Sequence, residues 1–540
     1  MDFNYLLIWT VCFSCGLNIV VTVRRSRLNR SKQYSRGWVL ISAGILAITL
    51  SLTYLSPTVA SVVGGCLWSL FILLPALGLK SVNQLIVSQR FKTARQLATI
   101  LYWFHPVDGW REYPAMLRVL EMGQQGNIEL ALAILNQRRF RVPSMQRQAI
   151  ANLYQMGAQW EELLSWLQQQ PAAGWRKDSV LVTYYLRALG ETGNLNHLIR
   201  ELEHFEALFE KTNQVINRSL GRMFAFAFCG YKDQVHELLN GPLAFYPAYM
   251  RQFWLATAEL ATNNNSLARQ QLTRMLDDQN FLGQKIIQRR LEQPWRASET
   301  MLDQRSKQTL ARISLELEQE GRYSSKTSMA INAHTTFAII GLNVLVFLFE
   351  VRLGGSQNVD TLYQLGALVP EEVIGGAWWR LLSSTFLHYG FFHLLMNMIG
   401  LYILAPFVEF ALGARQYLVT YFTAGVGSML VVTGLSVAGY TQSQFVVGAS
   451  GCVMGMVGAT AAILLRGWQQ EKARIASKRL QIILLLISFQ IVFDLSIPQV
   501  SFTGHTSGLM IGFIAGFLSK PTWQDQLSRA AHAKIGQQSR

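Results

Sequence analysis

Four side chains in the last third of the sequence have types and spacing suited to acyl transfer: His393 and Asn397 in HLLMN, Ser450 in GASG, and His505 in GHTSG. A serine hydroxyl is a weak nucleophile until a base within hydrogen-bond reach takes its proton, and histidine is the usual base. The oxyanion that follows needs preorganised donors, which a second histidine, an asparagine amide and a backbone N–H can provide. Each residue alone has a plainer use, since a serine in an apolar helix commonly bonds its own backbone and an interfacial histidine commonly faces headgroups. All four, however, lie within or at the ends of apolar runs. There a polar side chain costs on the order of several kcal/mol unless partnered, so the set reads as functional.

The local pattern favours one cluster. His393 and Asn397 are four apart and leave the same face of a helix. His505 is followed by Gly508, Gly512 and Gly516 on its own helical face, and Ser450 by Gly451, Gly455 and Gly458. Such small-residue faces let backbones approach closely in lipid, where packing rather than hydrophobic burial drives helix association. Gly448 and Gly451 also allow the chain to turn sharply at Ser450 and leave N–H groups free at a helix N-terminus.

The elements that must hold these residues are membrane spans. Half of the 540 residues are apolar and 15% carry charge, with a formal net charge of +16. A mean hydropathy of +0.20 argues against a nucleic-acid binder, and the basic residues flank apolar runs instead of forming one patch. Taking roughly 20 apolar residues per span, three candidates fall near 4–23, 38–55 and 58–79. Six more fall near 335–352, 393–411, 416–437, 450–465, 480–497 and 503–519. Arg24, Arg25, Arg27, Arg30, Lys32 and Arg36 follow the first run instead of preceding it, so a cleaved signal peptide is not expected. The positive-inside rule then predicts nine spans with the N-terminus outside and the C-terminus cytoplasmic. In that orientation His393, Asn397, Ser450 and His505 share the outer-leaflet depth. Cys12, Cys15, Cys66, Cys229 and Cys452 imply no disulfide framework, and the Cys12/Cys15 pair reads as buried thiols in a helix.

Residues 81–330 are polar, basic and helix-patterned. A short Gly/Asn break precedes an amphipathic helix at Ile128, Trp160, Leu195, Lys232 and Ser266, at intervals of 32, 35, 37 and 34 residues. That spacing predicts stacked helical hairpins resembling a tetratricopeptide-like solenoid on the cytoplasmic side. A concave face able to bind a cytosolic protein partner and a purely anchoring or regulatory role are both open at this point. The expected architecture is all-α and polytopic. Residues 1–80 carry three spans, 81–330 the helical repeats and linker, 331–520 a six-helix core, and 521–540 a cytoplasmic tail.

Over about residues 335–519 the sequence resembles the rhomboid intramembrane proteases. WWR at 378–380 looks like the family's loop motif, HLLMN at 393–397 its H-x-x-x-N, GASG at 448–451 its G-x-S-G, and HTSGLMIG at 505–512 its final-helix motif. The resemblance implies a rhomboid-type six-helix core and a Ser450–His505 dyad, with the oxyanion held by His393, Asn397 and the Ser450 N–H. It also implies that Arg380 fixes the first loop and that Glu409 ties neighbouring segments together. No acidic residue stands out as the orienter of His505, so a dyad and not a triad is expected. Met454 departs from the family pattern, which often places an aromatic ring there against the histidine.

The function implied is an intramembrane serine endopeptidase that cleaves single-pass transmembrane proteins near the external face, in contact with membrane lipid. No cofactor, metal or nucleic acid is expected. An H-E-x-x-H zinc motif is absent, and His388 with His393 lacks an acidic partner in sequence. The competing expectation is a non-proteolytic rhomboid-like scaffold that binds membrane clients and cytosolic partners.

Overall fold

The computed structural model describes residues 3–29, 36–105, 110–137, 140, 142–212, 214–262, 265–277, 281–292, 301–323, 333–440, 445–496 and 501–523. Among them the secondary structure is helical throughout, apart from one isolated antiparallel bridge between Leu368 and Val446. The chain divides into two compact units, Met1–Ser314 and Leu315–Arg540, and the division falls within the helix Gln304–Tyr323.

In the first unit, helices Phe3–Asn29, Arg36–Thr53 and Pro57–Trp68 pack against one another. The third runs through a π-helical stretch, Ser69–Leu73, and continues to Val87. It is therefore longer than the span expected at 58–79. Its last turns bring Leu79, Val82, Leu85 and Ile86 into the same apolar core as Phe91, Leu117 and Leu120. The third span thus shares a core with the helices that follow. The basic loop used to orient the N-terminus includes residues 30–35, which lie outside the described residues.

From Phe91 to Glu292 short helices follow one another, and many pack on both the next helix and the next but one. Helices begin at Ile128, Trp160, Leu195 and Lys232, where the sequence intervals place them, and Asn265 opens a further one beside Ser266. Their interiors are filled by large side chains such as Trp160, Phe226 and Phe228. Arg187 lies inside this core against the rings of Trp160 and Trp254, 4.9 Å from each centroid. Two ion pairs converge on Glu191, from Arg187 at 3.3 Å and from Arg290 at 2.6 Å, with the Arg290 side chain wholly buried.

Among the described residues of the second unit there are six apolar helices. They are α1 (His334–Leu353), α2 and α3 (391–412 and 414–437), α4 (Ser450–Glu471), α5 (Arg474–Ser496) and α6 (Phe502–Leu518). α2 and α3 are the halves of one helical run, Phe391–Val437, broken at Gly413, whose φ of 76° and ψ of 158° cannot continue a helix. Five of the described helical runs are long and apolar enough to cross a membrane: Pro57–Val87, His334–Leu353, Phe391–Val437, Ser450–Glu471 and Arg474–Leu495. Leu7–Val23, Gly37–Thr53 and Phe502–Leu518 are apolar but shorter. This is an integral membrane protein.

α4 is the centre of the core, with 83% of its apolar window buried against 17% for α5. Its most extensive pairing is with α6. A Cβ added at Gly508 would overlap the Gly451 carbonyl oxygen, one at Gly512 the Gly455 carbonyl oxygen, and one at Gly458 the Leu509 carbonyl oxygen. The two backbones are therefore in direct contact along the glycine faces, an approach that any side chain would prevent. At the far end of α4, Tyr323 donates a hydrogen bond to Glu471 Oε1 at 2.6 Å. Arg466 donates to the Phe517 and Ser519 carbonyls and so caps the C-terminus of α6.

Candidate active site

Ser450 is the first residue of α4 and His505 lies in the first turn of α6. Each is the chain neighbour of a glycine in the seam: a Cβ on Gly451 would lie 3.8 Å from the Gly504 carbonyl oxygen. The glycine faces therefore bring the N-terminal turns of α4 and α6 together, and with them the nucleophile and base candidates.

The turn into α4 is built by glycine and by the loop that precedes α2. Gly448 has φ of 130°, a conformation L side chains rarely adopt. A Cβ there would also fall 2.7 Å from Cε1 and Nε2 of His393 and 3.8 Å from the Ser450 backbone nitrogen. Both the His393 ring and the Ser450 N–H thus border the same small space, as two donors to one oxyanion must. The Gly448 N–H donates to the Ser384 carbonyl at 2.9 Å, and Val446 is bridged to Leu368 by two 3.0 Å hydrogen bonds.

Asn397 is buried one turn below His393 and donates from Nδ2 to the His393 carbonyl at 3.1 Å. An amide has two N–H groups, so this bond leaves one for a substrate oxygen.

The long loop between α1 and α2 is more ordered than a simple connection. It holds the short helices Val359–Leu365, Pro370–Ile374 and Arg380–Ser383. Arg380 donates from Nη1 to the carbonyls of Tyr363, at 2.9 Å, and Ala367, at 2.8 Å, and its guanidinium stacks over the Tyr363 and Trp379 rings. It fixes this loop as the sequence suggests. Glu409 takes N–H bonds from Thr335 and Thr336, both at 2.9 Å, and a 2.7 Å bond from the Thr336 hydroxyl. It ties α2 to the start of α1 and supplies a carboxylate at a helix N-terminus.

Several residues outside the sequence set border the site. His388 is buried, and its Nδ1 is 3.0 Å from the Phe386 carbonyl, which makes Nδ1 the protonated nitrogen. Its Nε2 can then accept from the Ala449 N–H, 3.4 Å away, so His388 holds the residue before the nucleophile. The His388 backbone N–H in turn donates to Glu350 on α1 at 3.0 Å. The rings of His388 and His393 meet edge to face at 5.3 Å.

No acidic partner for His505 stands out in the sequence, yet one lies beside it in the structure. Asp494, near the end of α5 and buried, places Oδ2 2.8 Å from His505 Nδ1. Gln490, one turn earlier, donates to the other carboxylate oxygen at 2.7 Å. Motif matching passed over Asp494 because it belongs to none of the four motifs. An acid in the apolar run LLLISFQIVFDLS, four residues after a glutamine, was the available signal. Met454, which stands in place of an aromatic support, is buried in the apolar core.

A broken helical run beside a glycine-seamed pair, with serine and histidine in adjoining first turns, defines a rhomboid-type membrane domain. Residues 375–521 match the Rhomboid domain family model. The Bacillus subtilis "Rhomboid protease GluP" is 31% identical over 206 residues, 38% of this chain and 38% of its own length. The Toxoplasma gondii "Rhomboid-like protease 2" is 32% identical over 197 residues, 34% of this chain and 67% of its own. A second Bacillus subtilis relative, YdcA, is 30% identical over 184 residues, 33% of this chain and 85% of its own. This chain belongs to the rhomboid family. It spans well under half the length of GluP, and the family model matches the C-terminal portion of this chain.

Proposed function

We propose that this chain is an intramembrane serine endopeptidase that cuts membrane-spanning protein substrates near the external face. The observation that carries the reading is the adjacency of the first turns of α4 and α6, enforced by backbone contact at Gly451–Gly508 and Gly455–Gly512. In this reading Ser450 Oγ forms a bond to the scissile carbonyl carbon while its proton passes to His505 Nε2. The C–N bond then breaks as that proton moves to the departing amine nitrogen. Water attacks the ester, gives a proton to His505, and releases the acid while Ser450 recovers its hydrogen. His393, Asn397 and the Ser450 N–H would hold the oxyanion, and loss of one such donor costs roughly 10²–10³ in rate.

The same reading puts the N-terminus and the catalytic ends of α4 and α6 outside and the C-terminus inside. Residues 81–330 would form a tetratricopeptide-like cytoplasmic region, supported by helix starts that recur at the sequence intervals. That region would either bind a cytosolic protein partner or anchor and regulate the membrane part.

The test is reaction of the purified full chain with a fluorophosphonate probe, paired with cleavage of a single-pass substrate panel. Labelling and cleavage are expected in the unaltered protein, and neither in Ser450→Ala. His505→Ala should lose both while still folding. Cleavage that survives Ser450→Ala would sink the assignment, and a chain that neither labels nor cleaves would be the non-proteolytic scaffold.

A further inference from the structure

We propose that Asp494 is a positioning residue for His505, so that this protein works with a Ser–His–Asp arrangement in which the acid comes from α5. The inference rests on the serine-protease reading of Ser450 and His505.

A carboxylate in a membrane helix is costly unless it is partnered, and Asp494 is nearly fully buried at 5% exposure. Its two oxygens have separate donors. Oδ2 faces His505 Nδ1 at 2.8 Å, and Oδ1 accepts from Gln490 Nε2 at 2.7 Å. Gln490 Nε2 also lies 3.5 Å from His505 Nδ1. An amide nitrogen cannot act as acceptor, so the only good bond open to a protonated Nδ1 at this corner is to Asp494. Both nitrogens therefore point hydrogens at one carboxylate.

That bond decides the tautomer. With its proton on Nδ1, the ring carries its lone pair on Nε2, the nitrogen that must receive the Ser450 proton. When the imidazolium forms, the adjacent carboxylate stabilises it without taking the proton. The carboxylate also holds the ring's rotation from the side. α5 packs much more on α4 than on α6, so Asp494 reaches His505 across a thinly packed junction. This supplies an orientation that Met454 would not provide as an aromatic ring does.

The experiment measures the second-order rate of fluorophosphonate labelling of Ser450 across pH, on the full chain in detergent, for the unaltered protein, Asp494→Asn and Asp494→Glu. His393 on α2 also lies within electrostatic range of His505, so it is kept unaltered throughout. Asp494→Asn should label about 10²-fold more slowly or worse, given that the same exchange in a serine protease triad costs about 10⁴. The midpoint of its pH profile should fall, because the imidazolium has lost its counter-charge. Asp494→Glu should recover part of the rate and restore the midpoint.

Equal rates and midpoints in Asp494→Asn and the unaltered protein would overturn the inference while leaving the protease reading intact. So would a slower Asn variant with an unmoved midpoint and no recovery by glutamate, the pattern of a merely structural tie. Failure of the unaltered protein to label overturns both. A readout free of substitution at Asp494 is nitrogen NMR of labelled histidine, with the His505 signals assigned by difference from His505→Ala. A neutral ring protonated on Nδ1 supports the assignment, and one protonated on Nε2 overturns it.

Discussion

Glycines are buried in both units, but they face different things. In the helices between Phe91 and Glu292, a Cβ on Gly123 would meet the end of Leu153, one on Gly190 the ring of Phe228, and one on Gly221 the tips of Leu202 and Leu186. At Gly458, Gly508, Gly512 and Gly516 of α4 and α6, added Cβ atoms would meet backbone, namely the carbonyls of Leu509, Gly451 and Gly455 and the Ala459 Cα, while at Gly451 and Gly455 they would first meet the Ser428 and Ala424 side chains of α3. In the first case glycine makes room for a large apolar side chain, and burial of that side chain from water stabilises the pair. In the second it lets two backbones touch, which is how helices gain contact energy when lipid already solvates their apolar surface. The contrast also sets tolerance: a leucine tip can rotate aside, whereas a carbonyl fixed in a helix cannot.

The largest effect expected from this contrast is at the seam. Gly512→Ala puts a methyl against the Gly455 carbonyl and Cα, so α4 and α6 must separate. Fluorophosphonate labelling should fall to background, and stability should drop by at least the roughly 1–3 kcal/mol typical of overpacked cores. Labelling at an unchanged rate would break the comparison.

In the first unit the damaging change is the opposite one, from large to small. Trp160 is 1% exposed and has the Arg187 guanidinium over its ring, so Trp160→Ala should cost about 3–5 kcal/mol in a thermal or denaturant melt. The rate of probe reaction per folded molecule should stay the same.

A smaller loss is expected where α4 ends. Tyr323→Phe removes the 2.6 Å bond to the Glu471 carboxylate and leaves the ring packed on Gly467. A hydrogen bond to a charged group contributes about 1.5–3 kcal/mol, and the shift in melting midpoint reads the loss directly.

The smallest effect sharpens the comparison. In Gly221→Ala the added methyl would stand 3.0 Å from Leu202 Cδ1 and 3.1 Å from Leu186 Cδ1, both flexible ends. Alanine's helix preference over glycine, about 1 kcal/mol, offsets that crowding, so the melting midpoint should move by less than about 1 kcal/mol equivalent. A collapse like that of Gly512→Ala would show that both regions pack alike.

Much of this was legible beforehand because it depends on spacing along one helix. The apolar runs after residue 335 coincide closely with α1 to α6, since run length is a local property. The same holds for the helix starts at Ile128, Trp160, Leu195 and Lys232, where a Gly/Asn break must end one helix before the next begins. The extension of the third helix to Val87 was not legible, because Val82 and Leu85 face a core made by later helices.

For the site, the sequence by itself determined which residues could act: a serine flanked by glycines, a histidine on a glycine face, and the His393/Asn397 pair one turn apart. These are statements about one helix each, and helix geometry settles them. Only the tertiary structure decided how those residues are held. His388 under Ala449 spans 61 residues, and Asp494 beside His505 joins two separate helices. Asp494 lies eleven residues before His505 but on a separate helix, so their separation along the chain has no meaning in the periodicity of either helix. It acquires one only when α5 and α6 fold back on each other and set a carboxylate against an imidazole.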